Sequence, residues 1–390
     1  MMRDAVRRPV QAWLAAAALS ILLVPVQAAA TQKERDLQGR SAKSGSVTPP
    51  KDKSTTARHG QIALRHVDSW GYQLQNVRPR LVTRDGLDLL VVDYSRDGTE
   101  SGALSRADVD LLRKRAREPD RIVIAYLSIG EAEDYRYYWS AGWSEKPKYY
   151  EARRQGYAGA ADGLSVGVPD QKAPLAKLTA SAPAWLADEN PAWRGNYLVR
   201  YWDAEWQAII FGSATAYLDK IIAAGFDGVY LDKIDSNDDW QKTRPGAERE
   251  MVELVKRLAA YARGKRPGFI IVPQNGEDLL KYPDYVAAID AIAKEDLLYG
   301  GGTRKDGEAN PEKEILSSKK LLDRARRAQR PVLTVEYLEE IESILDARKR
   351  MRAYDYVPFF ARRALGETPL FPPARSAVEE GEKANGKAQD

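Results

Sequence analysis

From residue 71 onward, short and almost wholly apolar runs alternate with longer segments whose apolar positions recur at helical spacing. Eight such runs stand out: Gly71–Gln75, Leu87–Asp93, Arg121–Ser128, Phe226–Asp232, Phe269–Gln274, Val286–Ile292, Pro331–Glu336 and Tyr356–Phe360. Most are apolar at nearly every position rather than at every second one, which predicts strands buried on both faces, as in a parallel sheet covered by helices. Between them, Ser105 followed by Asp108 reads as a capping box opening a helix to about Arg117, with Pro119 closing it. Asp203 precedes a second helix, whose stripe of Trp206, Ile209, Ile210, Tyr217, Ile221 and Ile222 runs on to a stop at Gly225. A third spans about Ala247 to Arg263 and ends at Gly264. Eight strand–helix repeats in roughly 300 residues predict an α/β chain of one domain, a (β/α)8 TIM barrel over residues 61–370, rather than an open sheet. Two places break the rhythm: the fifth-to-sixth connection is short for a full helix, and no long helix follows the eighth strand. Residues Ala132 to Pro191, rich in Tyr, Trp, Gly and Pro, read as an extended loop after the third strand, and loops of such length in a barrel are usually functional.

The two ends of the chain read differently. Residues 1–30 combine an arginine-rich start, a charge-free apolar stretch from Trp13 to Val26 and the small residues Gln27-Ala-Ala-Ala30. This is the pattern of a secretory signal peptide, and the stretch is shorter than the ~20 apolar residues that span a membrane. The chain is therefore expected to be exported, to a periplasm or beyond the cell, with no stable membrane insertion after cleavage. Residues 31–60 have almost no large apolar side chain and read as a flexible linker; residues 371–390 read as a disordered tail.

Composition then removes several chemistries. There is no cysteine, hence no disulfide, thiolate nucleophile or cysteine-held metal. His59 and His66 are the two histidines, too few for a three-histidine zinc site, and both precede the first good strand. Net charge is +4 with acids and bases interleaved, so no stripe reads as a nucleic-acid footprint. No cofactor is expected, and the chemistry falls to carboxylates and their neighbours.

In a barrel of this kind the active site lies at the carboxyl ends of the strands. Acids collect there: Asp93, then Glu131 and Glu133, then Asp232 and Asp235, then Glu277, Glu295 and Glu336. Like charges converging on one rim repel, and a fold tolerates that for a purpose. Glycoside hydrolysis needs two carboxyl groups flanking the scissile bond. Asp232 and Glu295, each following a run apolar enough to be barrel wall, are the pair this reading selects, with Asp227 and Asp290 lying too early in their runs. Tyr94, Tyr126, Tyr135, Trp139, Trp193, Trp202 and Trp240 could offer faces to sugar rings, and an acidic cleft would draw in a cationic amino-sugar polymer. Two alternatives stay open: a barrel that binds polysaccharide without cutting it, and a hydrolase in which Asp232, Asp235 and Glu277 hold an oxygen-preferring cation.

The strings WGYQLQ, DLLVVDYSRDG, IAYLSIGEAEDYRYYW, NPAWRGNYLVRYWD, AGFDGVYLDKID, VPQNGEDLL, IAKEDLLYG, VLTVEYL and VPFFARR together resemble the endo-alpha-1,4-polygalactosaminidase-like glycoside hydrolases, over about residues 65–362. SIGEAE and GVYLDKID are the specific ones. The resemblance implies a (β/α)8 barrel that cleaves α-1,4-linked galactosamine-containing polymers internally, by a retaining route. It implies Asp232 as nucleophile and Glu295 as general acid/base, with Asp93, Tyr94, Tyr126, Glu131, Asn275 and Glu336 in positions that resemble the cleft lining; Asp235 and Glu277 join them as further acids of the rim. The sequence departs from the fungal members in lacking their cysteines near the sixth strand, which sets it with the bacterial relatives.

Overall fold

The computed structural model describes residues 64–79, 86–115, 119–146, 174–302 and 304–366. The expected signal peptide, linker and tail lie outside the described residues.

Eight parallel strands follow one another in chain order. β1 (Trp70–Gln73), β2 (Leu89–Val92), β3 (Ile122–Ser128), β9 (Gly228–Asp232) and β10 (Ile270–Pro273) form one sheet, and β11 (Ile292–Glu295), β12 (Val332–Tyr337) and β13 (Val357–Ala361) another. An isolated parallel bridge between Gln274 and Ala293 joins the two. The remaining seam, between β13 and β1, has no ladder among the described residues; the Trp70 indole N–H donates across it to the Val357 carbonyl at 2.9 Å. The architecture is the (β/α)8 TIM-barrel type that the sequence predicts, with this last seam held by side chain and loop rather than by strand pairing.

The strands are apolar throughout because they serve two cores. Alternate residues, among them Trp70, Tyr72, Leu89, Val91, Ile124, Tyr126, Tyr230, Ile270, Val272, Ala293, Val335, Tyr337 and Phe359, fill the barrel interior. Their neighbours, such as Leu90, Val92, Val123, Ala125, Val229, Leu231, Ile271 and Ile292, face the helices. Each large side chain so buried contributes roughly 1.5–3 kcal/mol relative to exposure. In the interior, the rings of Tyr72 and Tyr230 lie 4.9 Å apart and those of Trp70 and Phe359 5.3 Å, tilted against each other in a packed aromatic cluster.

The outer layer holds α1 (Arg106–Arg113), α2 (Ala204–Ile210), α3 (Tyr217–Ala224), α4 (Ser236–Gln241), α5 (Ala247–Lys265), α6 (Pro283–Ala288), α7 (Glu312–Arg327) and α8 (Ile341–Ala353). Ser105 caps α1 with the reciprocal Asp108 bond of a capping box, as expected, though the helix ends at Arg113. Four expectations are corrected. The long helix after Asp203 is two helices, broken around Gly212, whose φ of 118° no helix accommodates. α5 runs through Gly264 to Lys265. The run Val286–Ile292 is not a strand at its start: Pro283 opens α6, which holds Val286 to Ala288, and the sixth barrel strand begins at Ile292. The segment Ala132 to Pro191 is not simply a loop: β4 (Glu131–Glu133) and β7 (Leu186–Glu189) both pair antiparallel with β8 (Asn196–Val199), and β5 (Ser144–Glu145) pairs with β6 (Lys177–Leu178); residues 147–173 lie outside the described residues.

At the amino-terminal end of the barrel, acids stitch neighbouring strands together. Asp88 Oδ2 accepts from the Ser69 amide at 3.1 Å, Asp227 Oδ2 from Val123 at 2.9 Å, and Asp290 Oδ2 from Ile271 at 2.9 Å. Each is also paired with arginine: Arg115 with Asp88, Arg113 and Arg266 with Asp227, Arg263 with Asp290. Asp227 and Asp290 thus sit at the end opposite the rim, as their early position in the runs suggested.

Candidate active site

The in–out alternation decides which side chains reach the mouth of the barrel. Counting upward by twos from the interior residues leads to Asp93 after β2, Ser128 on β3, Asp232 on β9, Gln274 after β10, Glu295 on β11 and Tyr337 on β12. Register agrees, for Ser128 lies beside Asp232 in the ladder and Glu295 beside Val335. Both members of the sequence-predicted pair thus point into the barrel at its carboxyl end, near enough for the charge of Glu295 to act on Asp232.

Around this mouth the chain leaves the barrel by a left-handed residue. Lys233 follows Asp232 with φ 61°, Asn275 follows Gln274 with φ 58°, and Asp296 follows Glu295 with φ 52°. Such conformations cost free energy for a side chain, most of all for lysine, and persist where surroundings impose them. Here they turn the backbone aside at once after each inward residue. The close packing of this rim is seen at Gly130, where a Cβ would come within 2.2 Å of both the Lys233 carbonyl and the Ser236 hydroxyl.

Asp232 and Glu295 are each held by neutral donors. The Tyr126 hydroxyl donates to Asp232 Oδ2 at 2.7 Å, and the Lys233 amide to Oδ1 at 2.7 Å. Glu295 accepts from the Tyr337 hydroxyl on Oε1 and from the Gln274 side-chain amide on Oε2, with Asn275 Nδ2 at 3.4 Å. Asn275 Oδ1 in turn accepts from the Glu295 amide at 3.1 Å. Among the described residues neither carboxylate forms a salt bridge. Burial, then the charge of Glu295, pushes Asp232 from 3.8 up to about 7. Burial, then Asp296, pushes Glu295 upward too. Two neighbouring carboxyls whose proton affinity is raised by desolvation and by nearby acids form an acid/base arrangement in the ordinary chemical sense.

The other sequence-predicted residues divide. Tyr126 is part of the pair's own hydrogen bonding. Asp235 stands at the rim, its side chain 39% exposed and 3.9 Å from Lys233 Nζ. Glu131 is buried, accepting from Asn190 at 2.8 Å and Lys233 at 3.2 Å on Oε1, and burial raises its pKa. Asp93 faces inward, but Arg136, wholly buried, grips both its oxygens at 2.9 and 2.7 Å and also binds Glu133. Tyr94 has the outward phase and packs edge-on to Tyr217 in the helix-facing core. Glu277 is bound to Lys294 at 3.2 Å and by the Ser318 hydroxyl. Glu336 also has the outward phase; it is fully buried, accepts the amides of Leu298 and Tyr299, and burial lifts it to about 8. Those two acids thus fix loops around the mouth. Gln274, Tyr337 and Tyr72, whose hydroxyl reaches Gln274 at 3.4 Å, were not singled out from the sequence although they share the inward phase.

Of the aromatics considered for sugar binding, Trp139 packs on Trp143 and Tyr197, and Trp202 on Trp240. Tyr135 and Trp193 keep the most solvent-facing surface. The acids imagined around a cation have other partners, Asp232 with Tyr126, Asp235 near Lys233 and Glu277 with Lys294. Among the described residues no group of three or more His, Cys, Asp or Glu is placed to hold a metal.

Comparison with known proteins bears on this geometry. The chain is 36% identical over 307 residues to an uncharacterized protein of Methanocaldococcus jannaschii, covering 75% of each chain. It is 36% identical over 342 residues to one of Deinococcus radiodurans, covering 86% of this chain and 94% of that one. Among solved structures, it is similar to the glycoside hydrolase domain of PelA from Pseudomonas aeruginosa, with 19% identity, 77% of this chain and 97% of that chain covered, and a TM-score of 0.47. Aspergillus fumigatus Ega3, solved in complex with galactosamine, is similar at 14% identity, 82% and 97% coverage and a TM-score of 0.47. The family model of glycoside-hydrolase family GH114 matches residues 164–374, a stretch that contains Asp232, Glu295 and the strands that carry them, and the chain belongs to that family.

Proposed function

We propose that this glycoside hydrolase is exported and cleaves α-1,4-linked galactosamine-containing polysaccharide internally, with retention, using Asp232 as nucleophile and Glu295 as general acid/base. The observation that carries the pairing is that these two carboxyls both point inward at the carboxyl end of the barrel, each held by phenol and amide donors, with the charge of Glu295 acting on Asp232. The retaining route needs one proton shared between the pair. With that proton on Glu295, the acid delivers it to the glycosidic oxygen as the Asp232 carboxylate attacks the anomeric carbon and the bond to the leaving sugar breaks. Glu295, now ionised, takes a proton from water as the water oxygen displaces Asp232.

Charge accounting supports a cationic substrate. Glu131 has Lys233, Glu277 has Lys294, Asp296 has Arg363, and Asp93 with Glu133 share Arg136. Among the described residues Asp232 and Glu295 form no such ion pair, Lys233 and Arg363 acting on them only at a distance, so an ammonium group on a bound amino sugar would favour their ionised forms. Tyr135 and Trp193 supply the exposed aromatic faces nearest this reading.

The test is digestion of purified polygalactosamine by the wild type, D232N and E295Q, with products read by mass spectrometry and the first-formed anomer by NMR. The expected result is a ladder of oligosaccharides from the wild type alone, first formed as the α-anomer. Full activity in either variant removes that residue from catalysis, and β-product removes the retaining route.

A further inference from the structure

Arg363 lies just past β13, and its guanidinium touches neither carboxylate of the proposed pair. Instead it stacks 4.0 Å over the ring of Tyr337, the residue whose hydroxyl donates to Glu295 Oε1. Its Nη2 reaches Asp296 Oδ1 at 2.9 Å and Oδ2 at 3.1 Å, and its Nε reaches Asp306 at 2.8 Å. Asp296 is the left-handed residue directly after Glu295. One planar cation thus braces Glu295 from two sides, through the phenol that binds its side chain and through the turn that sets its backbone.

We propose that Arg363 is a positioning residue for the hydrolysis, acting through Tyr337 and Asp296 to hold the Glu295 carboxyl where it can protonate the leaving oxygen. The inference rests on the reading of Glu295 as general acid. A cation over a phenol ring draws electron density from the O–H and makes it a better donor, so the contact strengthens the Tyr337 bond as well as orienting it. The planar fork matters, because a single ammonium cannot lie on the ring and bridge two carboxylates at once. The turn beyond is fixed independently: Glu336 accepts the Leu298 and Tyr299 amides, and Asn310 Nδ2 donates to the Asp296 carbonyl at 2.8 Å. Removing the guanidinium therefore loosens Glu295 while leaving the loop anchored. Arg363 also lines a cavity of about 310 Å³ beside Tyr337, with Asp306, Glu339, Glu340 and Ser343, so its outer edge is open and its loss creates no sealed void.

The role separates from a merely structural one by the leaving group. A 2,4-dinitrophenyl glycoside of a galactosamine oligomer needs no proton for departure, whereas polygalactosamine does. Comparing kcat/KM on both substrates isolates the bond-breaking step. R363M is expected to lose roughly 10- to 100-fold on the polymer, part of the ~10²–10⁴ that general acid catalysis supplies, and under about threefold on the dinitrophenyl substrate. R363K should fall between R363M and the wild type on the polymer, and it decides by the same ratio if R363M does not fold. Equal losses on the two substrates, or an undiminished rate on the polymer, overturn the proposal. E295A run alongside tells the two failures apart. If E295A cleaves polymer at the wild-type rate, the reading of Glu295 is at fault; if E295A is lost on polymer while R363M is not, Arg363 alone is misassigned.

Discussion

Replacing the proposed nucleophile should make the protein more stable, with a pH signature that the geometry specifies. Asp232 releases its proton near 3.8 in an unfolded chain and near 7 in the folded one, chiefly because burial and Glu295 oppose its charge. Above pH 4 the unfolded state sheds this proton first, so the folded state binds more protons and its stability falls as pH rises through the window from about 4 to 7. The slope is about 1.4 kcal/mol per pH unit for one group, and the shift of roughly three units sets a ceiling of about 4 kcal/mol on the penalty at pH 7.5. Asp232 is partly open to solvent at the barrel mouth, which screens the interaction and reduces the expected gain to about 1–3 kcal/mol. D232N, neutral at every pH and able to keep accepting the Lys233 amide, should thus match the wild type in stability near pH 4. It should exceed the wild type increasingly up to about pH 7, with no further change above, while releasing no oligosaccharide. Thermal or urea unfolding of both proteins at pH 4, 5.5 and 7.5 measures the difference, expected as a rise of roughly 2–8 °C at the highest pH. A variant that is less stable than the wild type at pH 7.5, or a difference that does not vary with pH, would refute the account of a desolvated, mutually repelling pair.

Two further outcomes follow from other contacts. Y126F removes the hydroxyl that donates to Asp232 Oδ2, leaving the carboxylate less favoured over its acid form; the limb of the pH–rate profile assigned to Asp232 should move upward and kcat fall by about tenfold, with stability changed by only ~1 kcal/mol in unfolding assays. R136M leaves Asp93 and Glu133 buried without their cation, which should cost about 3–5 kcal/mol in urea unfolding, whereas the triple replacement of all three by apolar residues should recover most of it.

The barrel was legible because its strands are short apolar runs at regular intervals, and Asp232 because it closes such a run directly. What the runs conceal is phase. A strand apolar on both faces carries no period-two signal, so nothing in the letters VLTVEY says that Tyr337 points to the mouth and Glu336 away from it, or that Asp93 faces inward and Tyr94 outward. Once the interior residues are known, Gln274 and Tyr337 follow by counting in twos. The boundary of the sixth strand was misplaced for a different reason: Val286–Ile292 is as apolar as a strand, and Pro283 as a helix start outweighed it. Arg136 and Arg363 could not be read in full, since Asp93 and Asp296, which they tie into the mouth, lie 43 and 67 residues away.

The stitches at the opposite end of the barrel divide labour along its axis. Because Asp88, Asp227 and Asp290 each clamp an amide at or beside the start of an adjoining strand, the spacing of the staves is set at the base, away from the proposed catalytic mouth. The upper hoop is then relieved of that task, and its connecting segments can lengthen, as between residues 129 and 203, or change their chemistry without the staves drifting out of step. An acid that opens a strand thus serves the frame of the barrel, and an acid that ends one serves its mouth.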